Sequence, residues 1–287
     1  MSSLREIKDR IGSVRSTLKI TSAMKLVSSA KLRKAQKAIE GLRPYETALA
    51  GILNSLLAGG NFHDGTMENS ACRNVAVVAV SSNSSLCGSF NTNVIRKTLE
   101  TVRQYEAEGC VVSVFAIGRK MSEAMRKAGY QTHEDYSALV GHPSYDLSAK
   151  LASDISGKFE EGAYSRVILV YNHFVSSARQ TVMVEPYLPF TMEGKADADV
   201  PDPSEKYIIE PGAEEVIKAL VPQVLMLKFH AAILDSQAAE QAARTIAMQT
   251  ASDNAEDLLS ELTLEYNKGR QQKITAEILD LLGGATQ

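Results

Sequence analysis

The 287-residue sequence contains no tryptophan and only three cysteines. Cys72, Cys87 and Cys110 show neither a CxxC spacing nor a Cys/His ligand spacing, so the sequence predicts no disulfide framework and no zinc site. The first residues lack the apolar core of a signal peptide, and no run approaches the roughly 18 apolar residues that a membrane span needs. These absences predict a protein of the cytosol or an equivalent reducing compartment.

An excess of charge of one sign is also missing. The formal net charge of −3 argues against wholesale nucleic-acid binding. Residues 1–58 nevertheless carry eleven Lys and Arg residues against four Asp and Glu residues, so we expect an acidic partner along this arm. The basic run at residues 31–37 has no interleaved aromatic residues, which favours a solvated or partner-facing helix over a phosphate-binding site.

Nucleotide-binding motifs are absent as well. The sequence has no GxGxxG and no GxxxxGK[ST], and the turn from Ser81 to Asn91 is rich in hydroxyls instead. We therefore predict no cofactor and interpret this turn as a loop that caps a helix. Cys87 has no histidine paired with it in the sequence, so a buried structural role is favoured over catalysis. An enzyme that acts on a nucleotide is kept as an alternative.

Seven-residue apolar periodicity marks both ends of the chain. Steps of three and four predict long helices that pack along a narrow seam, so the two ends are expected to wrap around each other. The first helix is predicted from a capping box at Ser3–Glu6 as far as residue 57, with Pro44 kinking or interrupting it. The second is predicted to begin near residues 210–215, to kink at Pro222 and to end at Gly283-Gly284. The apolar positions are Leu4, Ile7, Ile11, Val14 and Leu18, then Ile217, Leu220, Val224, Leu227, Ala231, Leu234 and Ala238, then Met248, Ala255, Leu259, Leu262 and Tyr266.

The middle of the chain predicts a different architecture. Strands rich in β-branched residues are expected at 74–81, 111–117, 166–171 and 181–187, with helices at 91–108, 119–128 and 146–161 between the first three strands. The fold class is therefore α/β: a long antiparallel coiled coil of N- and C-terminal helices plus a Rossmann-like α/β domain with a mostly parallel sheet. The predicted division is 1–58 for the N-terminal coiled-coil helix, 70–190 for the Rossmann-like domain, 191–210 for a connecting loop and 211–287 for the C-terminal helix.

Several sequence blocks carry a resemblance. They are REIKDRI at residues 5–11, KITSAMKLV at 19–27, KLRKAQ at 31–36, LCG at 86–88, EQAARTIAM at 240–248, ELTLEYNKGRQ at 261–271 and ITAEI at 274–278. Together they resemble the gamma subunits of F-type ATP synthases over essentially the whole chain.

The resemblance implies a rotor without catalytic residues. The terminal helices would turn as a single copy inside three alpha and three beta subunits, while the α/β domain would stand on the c-ring beside epsilon. Ion flow would then drive ATP synthesis, and the reverse direction would hydrolyse ATP and pump ions. The complex would lie on the cytoplasmic face of the bacterial inner membrane, and the chain would be peripheral, contacting the membrane only through the c-ring.

The resemblance also assigns contact residues. Arg270 and Gln271 would form a catch on a beta-subunit loop, with Thr275 and Glu277 in its neighbouring network. Met24 and Lys25 would lie near the acidic beta-subunit lever and be coupled to Arg244. Arg96 and Lys97 would supply a second catch, and Ile278, Leu281 and Leu282 would form an apolar tip.

Two departures from the family pattern limit these assignments. Asn83-Ser84-Ser85 stands where Asp-Arg-Gly is common, so no cationic contact is expected from that loop. Gly269 stands where alanine is usual, at a cost of roughly 0.5–1 kcal/mol in helix propensity. The alternative to a rotor is a scaffold protein whose terminal helices pair with other chains and whose α/β domain is a separate binding module.

Overall fold

The computed structural model describes residues 4–58, 73–132, 134–190, 210 and 212–284, with the backbone alone at 50, 54, 55, 57, 58 and 280–284. The chain forms two compact units. The terminal unit contains Met1–Ser29 and Arg244–Gln287, and the α/β unit contains Ala30–Ala243. The predicted capping residue Ser3 and the predicted surface loop at residues 192–206 lie outside the described residues.

The α/β unit is built on a four-stranded sheet in the order β2-β1-β3-β4. The strands are β1 (Asn74–Val80), β2 (Val111–Ile117), β3 (Arg166–Phe174) and β4 (Gln180–Leu188). β1 pairs in parallel with β2 and β3, whereas β4 is antiparallel to β3. Every residue of β1 after Asn74 is buried, as expected for a strand covered on both faces. The prediction of a mostly parallel sheet is confirmed.

Helices cover both faces of this sheet. They are α2 (Phe90–Ala107), α3 (Arg119–Lys127), α4 (Ser137–Gly141) and α5 (Tyr145–Glu160), together with part of α6 (Ala213–Gly284). The first helix, α1 (Leu4–Ala58), packs on α6 through Leu32 and Ala35. Ala76, Val78 and Val80 of β1 belong to the core that includes α5 and α6. Val75, Val77 and Ala79 belong to the core that includes α2 and α3. Alternate residues of one strand therefore supply the two cores.

In the terminal unit, α1 and α6 run antiparallel. The Oγ atoms of Thr21 and Ser252 are 2.8 Å apart, and a Cβ on Gly269 would lie 3.0 Å from Cδ2 of Leu4. Thr21 lies 17 residues after Leu4, whereas Ser252 lies 17 residues before Gly269. Equal steps in opposite directions define one antiparallel register, which confirms that the two ends of the chain pair with each other.

This constant register matches the predicted seam residues to one another. It places Ile7 opposite Tyr266, Ile11 opposite Leu262, Val14 opposite Leu259 and Leu18 opposite Ala255. Ile7, Ala255 and Leu262 are buried, and the other five are half-buried. Four of the five apolar positions predicted on the first helix therefore face apolar positions predicted on the last, and the fifth, Leu4, faces Gly269.

The structure differs from the sequence-based interpretation at Pro44, at α4 and at Cys110. α1 continues through Pro44, so the proline does not interrupt it. The short helix α4 was not predicted, because five residues are too few to show a period. Cys110 is disulfide-bonded, so the expectation of no disulfide is wrong at this residue, whereas Cys87 is a free and buried thiol.

One stretch of α6 is apolar enough to meet the length and composition criteria of a membrane span. Its mean hydropathy over 18 residues reaches 1.5, and 39% of that stretch is buried inside the protein. The expectation that no segment approaches such a span is therefore wrong on composition. Leu225, Phe229 and Ile233 of this helix are packed in the core of the α/β unit, as in the core helices of soluble proteins, which meet the same criteria.

Candidate functional site

The C-terminal part of α6 exposes the residues that the resemblance assigns to the first catch. Arg270 and Gln271 are both exposed in the terminal unit. The hydroxyl of Thr275 donates to the carbonyl oxygen of Gln271 at 2.9 Å, and Glu277 pairs with Lys273 across 3.8 Å. The guanidinium and amide groups of this segment therefore lie at a surface where a partner can reach them.

Apolar side chains accompany these polar groups. Ile278 is 51% exposed, and the nearby Ile274 and Leu279 are 47% and 62% exposed. Leu281 and Leu282 belong to the helical backbone of α6, but their side chains lie outside the described part of the chain. Large apolar side chains that stay exposed on one segment mark a surface that a partner can cover.

The terminal unit also contains the three residues assigned to the beta-subunit lever. Met24 and Lys25 are half-buried on α1, and they are followed by Leu26 and Val27, which are 70% and 56% exposed. Arg244 is buried on α6 and engaged in an interaction. Because a buried guanidinium must be paired, Arg244 is held in place and is not free to move.

Arg96 and Lys97, assigned to the second catch, lie on the exposed side of α2. Both approach Glu100, at 3.9 Å and 3.3 Å respectively. Ion pairs between exposed side chains one turn apart contribute only about 0.3–0.5 kcal/mol. A partner carboxylate can therefore replace Glu100 at little cost.

The loop after β1 satisfies its own polar groups. The amide of Asn91 donates to Ser82 Oγ at 2.8 Å and to Cys87 Sγ at 3.1 Å, and its Oδ1 accepts from the backbone N–H of Ser82 at 3.1 Å. Leu86, in the same loop, has a φ of 67° and is 60% exposed. The hydroxyls of this loop therefore build the turn itself, as the sequence suggested.

The same loop occupies the position where a nucleotide would bind in an α/β sheet. Ser81 Oγ accepts from the backbone N–H of Met121 at 2.8 Å, and Asn83 Oδ1 accepts from that of Arg119 at 3.0 Å. Gly118 approaches Ser81 so closely that a Cβ would lie 2.4 Å from the Ser81 carbonyl oxygen. The first N–H groups of α3 are therefore used within the protein, where a phosphate would require them free.

A separate cavity of about 520 Å³ lies between α1, β3, β4 and α6 of the α/β unit. His173 Nδ1 pairs with Asp235 Oδ2 at 2.5 Å, and the other oxygen of Asp235 accepts from the backbone N–H of Phe174 at 2.9 Å. The hydroxyl of Tyr171 donates to Glu185 at 3.2 Å. Burial, followed by the carboxylates of Glu185, Asp235 and Glu46, raises the pKa of Tyr171, which therefore stays protonated. The two contacts of Asp235 fasten β3 to α6, and the Tyr171 hydroxyl joins β3 to β4.

His230 links α5 to α6 through Ser148. Its Nδ1 lies 2.9 Å from Ser148 Oγ, which donates its own proton to the Ser144 carbonyl oxygen, so Nδ1 carries the proton of a neutral imidazole. Burial lowers the pKa of His230. An unfolded histidine, with a pKa of about 6.5, therefore binds a proton more readily than the folded one.

We expect acid to weaken the α/β unit through His230. The stabilisation is complete above a pH of about 6.5 and is lost as the pH falls from there toward the lower pKa of the folded state. His230→Gln keeps a donor for Ser148 but cannot titrate, so its unfolding midpoint should fall less between about pH 7 and pH 5 than that of the wild type. Urea titrations at both pH values measure the difference. The exposed His142→Gln serves as control, and an equal acid response in His230→Gln would contradict the assignment.

Gly269 and Gly12 give a matched test of the seam. A Cβ on Gly269 meets Leu4 at 3.0 Å, whereas a Cβ on Gly12 has no described atom within 4 Å. Gly12→Ala should raise the free energy of unfolding by about 1 kcal/mol through helix propensity. Gly269→Ala should gain clearly less, because Leu4 must shift.

The Leu4→Ala background isolates that contact. There the two glycine substitutions should give equal gains, which thermal unfolding can measure. A full gain from Gly269→Ala with Leu4 intact would show that the two residues do not touch.

Sequence reasoning missed the residues that fasten elements together. The pairs Thr21 with Ser252 and His173 with Asp235 are separated by 231 and 62 residues, and no motif connects their members. The only available signal was that hydroxyl and small residues interrupt the apolar periodicity at 21 and 252. Within the described ranges no three His, Cys, Asp or Glu side chains are grouped to hold a metal ion.

Comparisons with known proteins agree with the geometry. Residues 3–287 match the profile of the ATP synthase family. The ATP synthase gamma chain of Bacteroides fragilis is 47% identical over 292 residues, covering 99% of both chains. The ATP synthase gamma chain of Nitratidesulfovibrio vulgaris is 36% identical over 287 residues, covering 99% of this chain and 98% of that one.

Solved structures support the fold. A chain from the Euglena gracilis mitochondrial ATP synthase, in a structure of OSCP, F1 and the c-ring, gives a TM-score of 0.65 at 20% identity and covers 99% of this chain and 93% of its own. A chain from the Tetrahymena thermophila mitochondrial ATP synthase central stalk and c-ring gives 0.60 at 20% identity, covering 81% and 99%. Paired terminal helices, the α/β unit and these full-length matches lead to one conclusion: the chain belongs to the family of ATP synthase gamma chains.

Proposed function

We propose that this chain is the rotating central stalk that couples ion-driven turning of a c-ring to ATP synthesis, or ATP hydrolysis to ion pumping. The observation that carries the proposal is the antiparallel pairing of α1 and α6 in one register, from Leu4 and Gly269 to Thr21 and Ser252. Two helices with interdigitated side chains resist twisting better than one, because one helix cannot slide along the other without breaking the seam.

The paired helices α1 and α6, which we call the shaft, act by contacting each catalytic subunit differently. Driving one catalytic site from 1:99 to 99:1 between two conformations requires about 5.5 kcal/mol of differential binding. The surface of the shaft is not the same on all sides. It carries Arg270 and Gln271 on α6 and the exposed Leu26 and Val27 on α1. As it turns, each surrounding catalytic subunit meets a different part of that surface. The chain itself supplies no catalytic residue.

The partners follow from this arrangement. One copy of the chain turns inside three alpha and three beta subunits, with the segment 70–190 standing on the c-ring beside epsilon and the segments 1–58 and 211–287 forming the shaft. The segment 191–210 connects them. The chain is peripheral and contacts the membrane through the c-ring alone, at the cytoplasmic face of the bacterial inner membrane.

The contact residues divide by role. The beta-subunit catch uses Arg270 and Gln271 and is supported by Thr275 and Glu277. Met24 and Lys25 act at the beta-subunit lever, and Arg244 is coupled to them. Arg96 and Lys97 supply charge to a second catch. Ile278, Leu281 and Leu282 form an apolar tip that turns in a bearing.

Substitutions at the catch test the proposal. Arg270→Ala and Gln271→Ala should each lower ATP turnover of the assembled alpha, beta and gamma subunits about tenfold, because each removes a hydrogen bond to a partner group, charge-assisted for the arginine. Nucleotide binding at beta should remain. The exposed neighbours Lys268→Ala and Gln272→Ala are the matched controls and should keep wild-type turnover. Full activity of both catch variants would remove these residues from the interface.

A further inference from the structure

A pair of buried hydroxyls interrupts the apolar seam of the terminal unit. Thr21 and Ser252 are 8% and 5% exposed, and their Oγ atoms are 2.8 Å apart. Thr21 donates its proton to the carbonyl oxygen of Leu18 at 3.1 Å. Ser252 is therefore the donor to Thr21, and each hydroxyl has a defined role.

We propose that Thr21 and Ser252 are positioning residues that set the axial register of the paired helices. The apolar seam positions repeat every three and four residues, so contacts between them change little when one helix shifts by a turn. The hydroxyl pair does change, because a shift separates the two oxygens and leaves both buried without each other. A buried polar pair of this kind penalises every alignment but one.

The contact of Leu4 with Gly269 fixes the same register at a second point. A Cβ on Gly269 would lie 3.0 Å from Leu4 Cδ2, so the absence of a side chain at 269 makes the space that Leu4 occupies. A shift by one turn would place Leu4 against a residue that has a side chain. The glycine, an exception to the family pattern, thus acquires a structural reason in this chain.

Charge favours the same alignment. Between Asp253 and Glu265, α6 carries five carboxylates and no Lys or Arg. The antiparallel register places this stretch opposite residues 8–20 of α1, where Lys8, Arg10, Arg15 and Lys19 outnumber Asp9. Opposite charges on either side of a seam favour this orientation, although salt screens them.

The register has a mechanical consequence that rests on the proposed function. Torque applied at one end of a two-helix shaft tends to slide the helices past each other. Two fixed points 17 residues apart oppose that sliding over the segment between them. The register itself is a property of the chain alone, so it can be tested without the other subunits.

Cysteine pairs measure the register directly. Ile11→Cys with Leu262→Cys joins residues that face each other, and Ile11→Cys with Tyr266→Cys joins residues displaced by about one turn. The full chain is oxidised mildly, and intrachain crosslinks are mapped by proteolysis. The yield of the facing pair divided by that of the displaced pair, the crosslinking ratio, reports how firmly the alignment is held. We expect the facing pair to dominate strongly in the wild-type background.

Replacing both hydroxyls should loosen the alignment. Thr21→Val with Ser252→Val keeps the seam apolar and filled, and we expect the crosslinking ratio to fall several-fold. Thr17→Val is the matched control, because the Thr17 hydroxyl bonds the Ser13 carbonyl of its own helix at 3.2 Å and is exposed. It should leave the ratio unchanged. Thr21→Ser with Ser252→Thr exchanges the hydroxyls and should retain the wild-type ratio.

The outcomes are distinguishable. An unchanged ratio in the double valine variant, or an equal fall in Thr17→Val, overturns the proposal. A fall of the crosslinking ratio in the variant Thr21→Ser with Ser252→Thr would show that packing, and not the hydroxyl bond, sets the register. Because the measurement uses the chain without alpha and beta subunits, its failure leaves the rotor proposal standing, and failure of the rotor proposal leaves the register intact.

Discussion

Replacing Phe229 with alanine should lower the free energy of unfolding of the α/β unit by about 3–5 kcal/mol, the usual cost of removing a buried aromatic ring. Phe229 is 1% exposed and belongs to the core formed with Leu225 and Ile233 of α6. Its ring centroid lies 5.8 Å from that of Tyr187, whose hydroxyl donates to the Leu225 carbonyl oxygen at 2.9 Å. The substitution removes the packing that fastens α6 to the sheet. Chemical denaturation followed by circular dichroism measures the loss.

Two further variants serve as comparisons for Phe229→Ala. Phe229→Leu keeps most of the buried volume and should cost clearly less than the alanine variant. Leu264→Ala truncates a side chain that is 71% exposed on the same helix, and its effect should stay within about 0.5 kcal/mol. If Phe229→Ala unfolded no more easily than Leu264→Ala, α6 would not be packed on the sheet as the structure has it.

A double cysteine variant, Thr21→Cys with Ser252→Cys, should close into an intrachain disulfide almost completely under mild oxidation. The two hydroxyl oxygens are 2.8 Å apart, which brings the side chains within the range of a disulfide. Because the bond closes a loop of more than two hundred residues, it should raise the free energy of unfolding by up to about 5 kcal/mol. Gel mobility with and without reductant, combined with thermal unfolding, measures both effects.

The control moves one cysteine by a turn. Thr17→Cys with Ser252→Cys should crosslink poorly, because Thr17 is exposed and its hydroxyl donates to the Ser13 carbonyl oxygen of its own helix. Efficient closure in the control, or covalent dimers between two chains in the double variant, would contradict the antiparallel pairing of one chain's ends. Interchain dimers are also the result expected of a scaffold protein.

Sequence reasoning worked best where a physical period dominates. The strand at 111–117 has the predicted bounds, and the others begin or end within three residues of their predicted positions. For β1 and β3 the reason is that burial on both faces demands continuous β-branched runs. The seam residues of α1 and α6 could be named for the same reason. Which residue faces which could be narrowed only to a region of several residues, since a repeat of three and four is satisfied by several alignments.

Beyond the pairing of the two chain ends, individual contacts between residues far apart in the sequence could not be predicted. His173 and Asp235 meet only because β3 and α6 pack together, and neither lies in a motif. The disulfide at Cys110 was missed because cysteine spacing alone does not determine pairing. The loop from Ser81 to Asn91 does cap a helix, but that helix is α3: Ser81 and Asn83 accept from its first N–H groups, whereas Ser89, just before α2, makes no side-chain cap hydrogen bond.

Single-molecule rotation tests the central claim most directly. The chain, carrying a probe at a cysteine placed at the exposed Lys127, is assembled with alpha and beta subunits that are fixed to a surface, and ATP is added. A central stalk should turn the probe continuously in one direction, pausing at three equivalent positions in each revolution. A probe that stays still or fluctuates without direction, in assemblies that hydrolyse ATP, would contradict the rotor account.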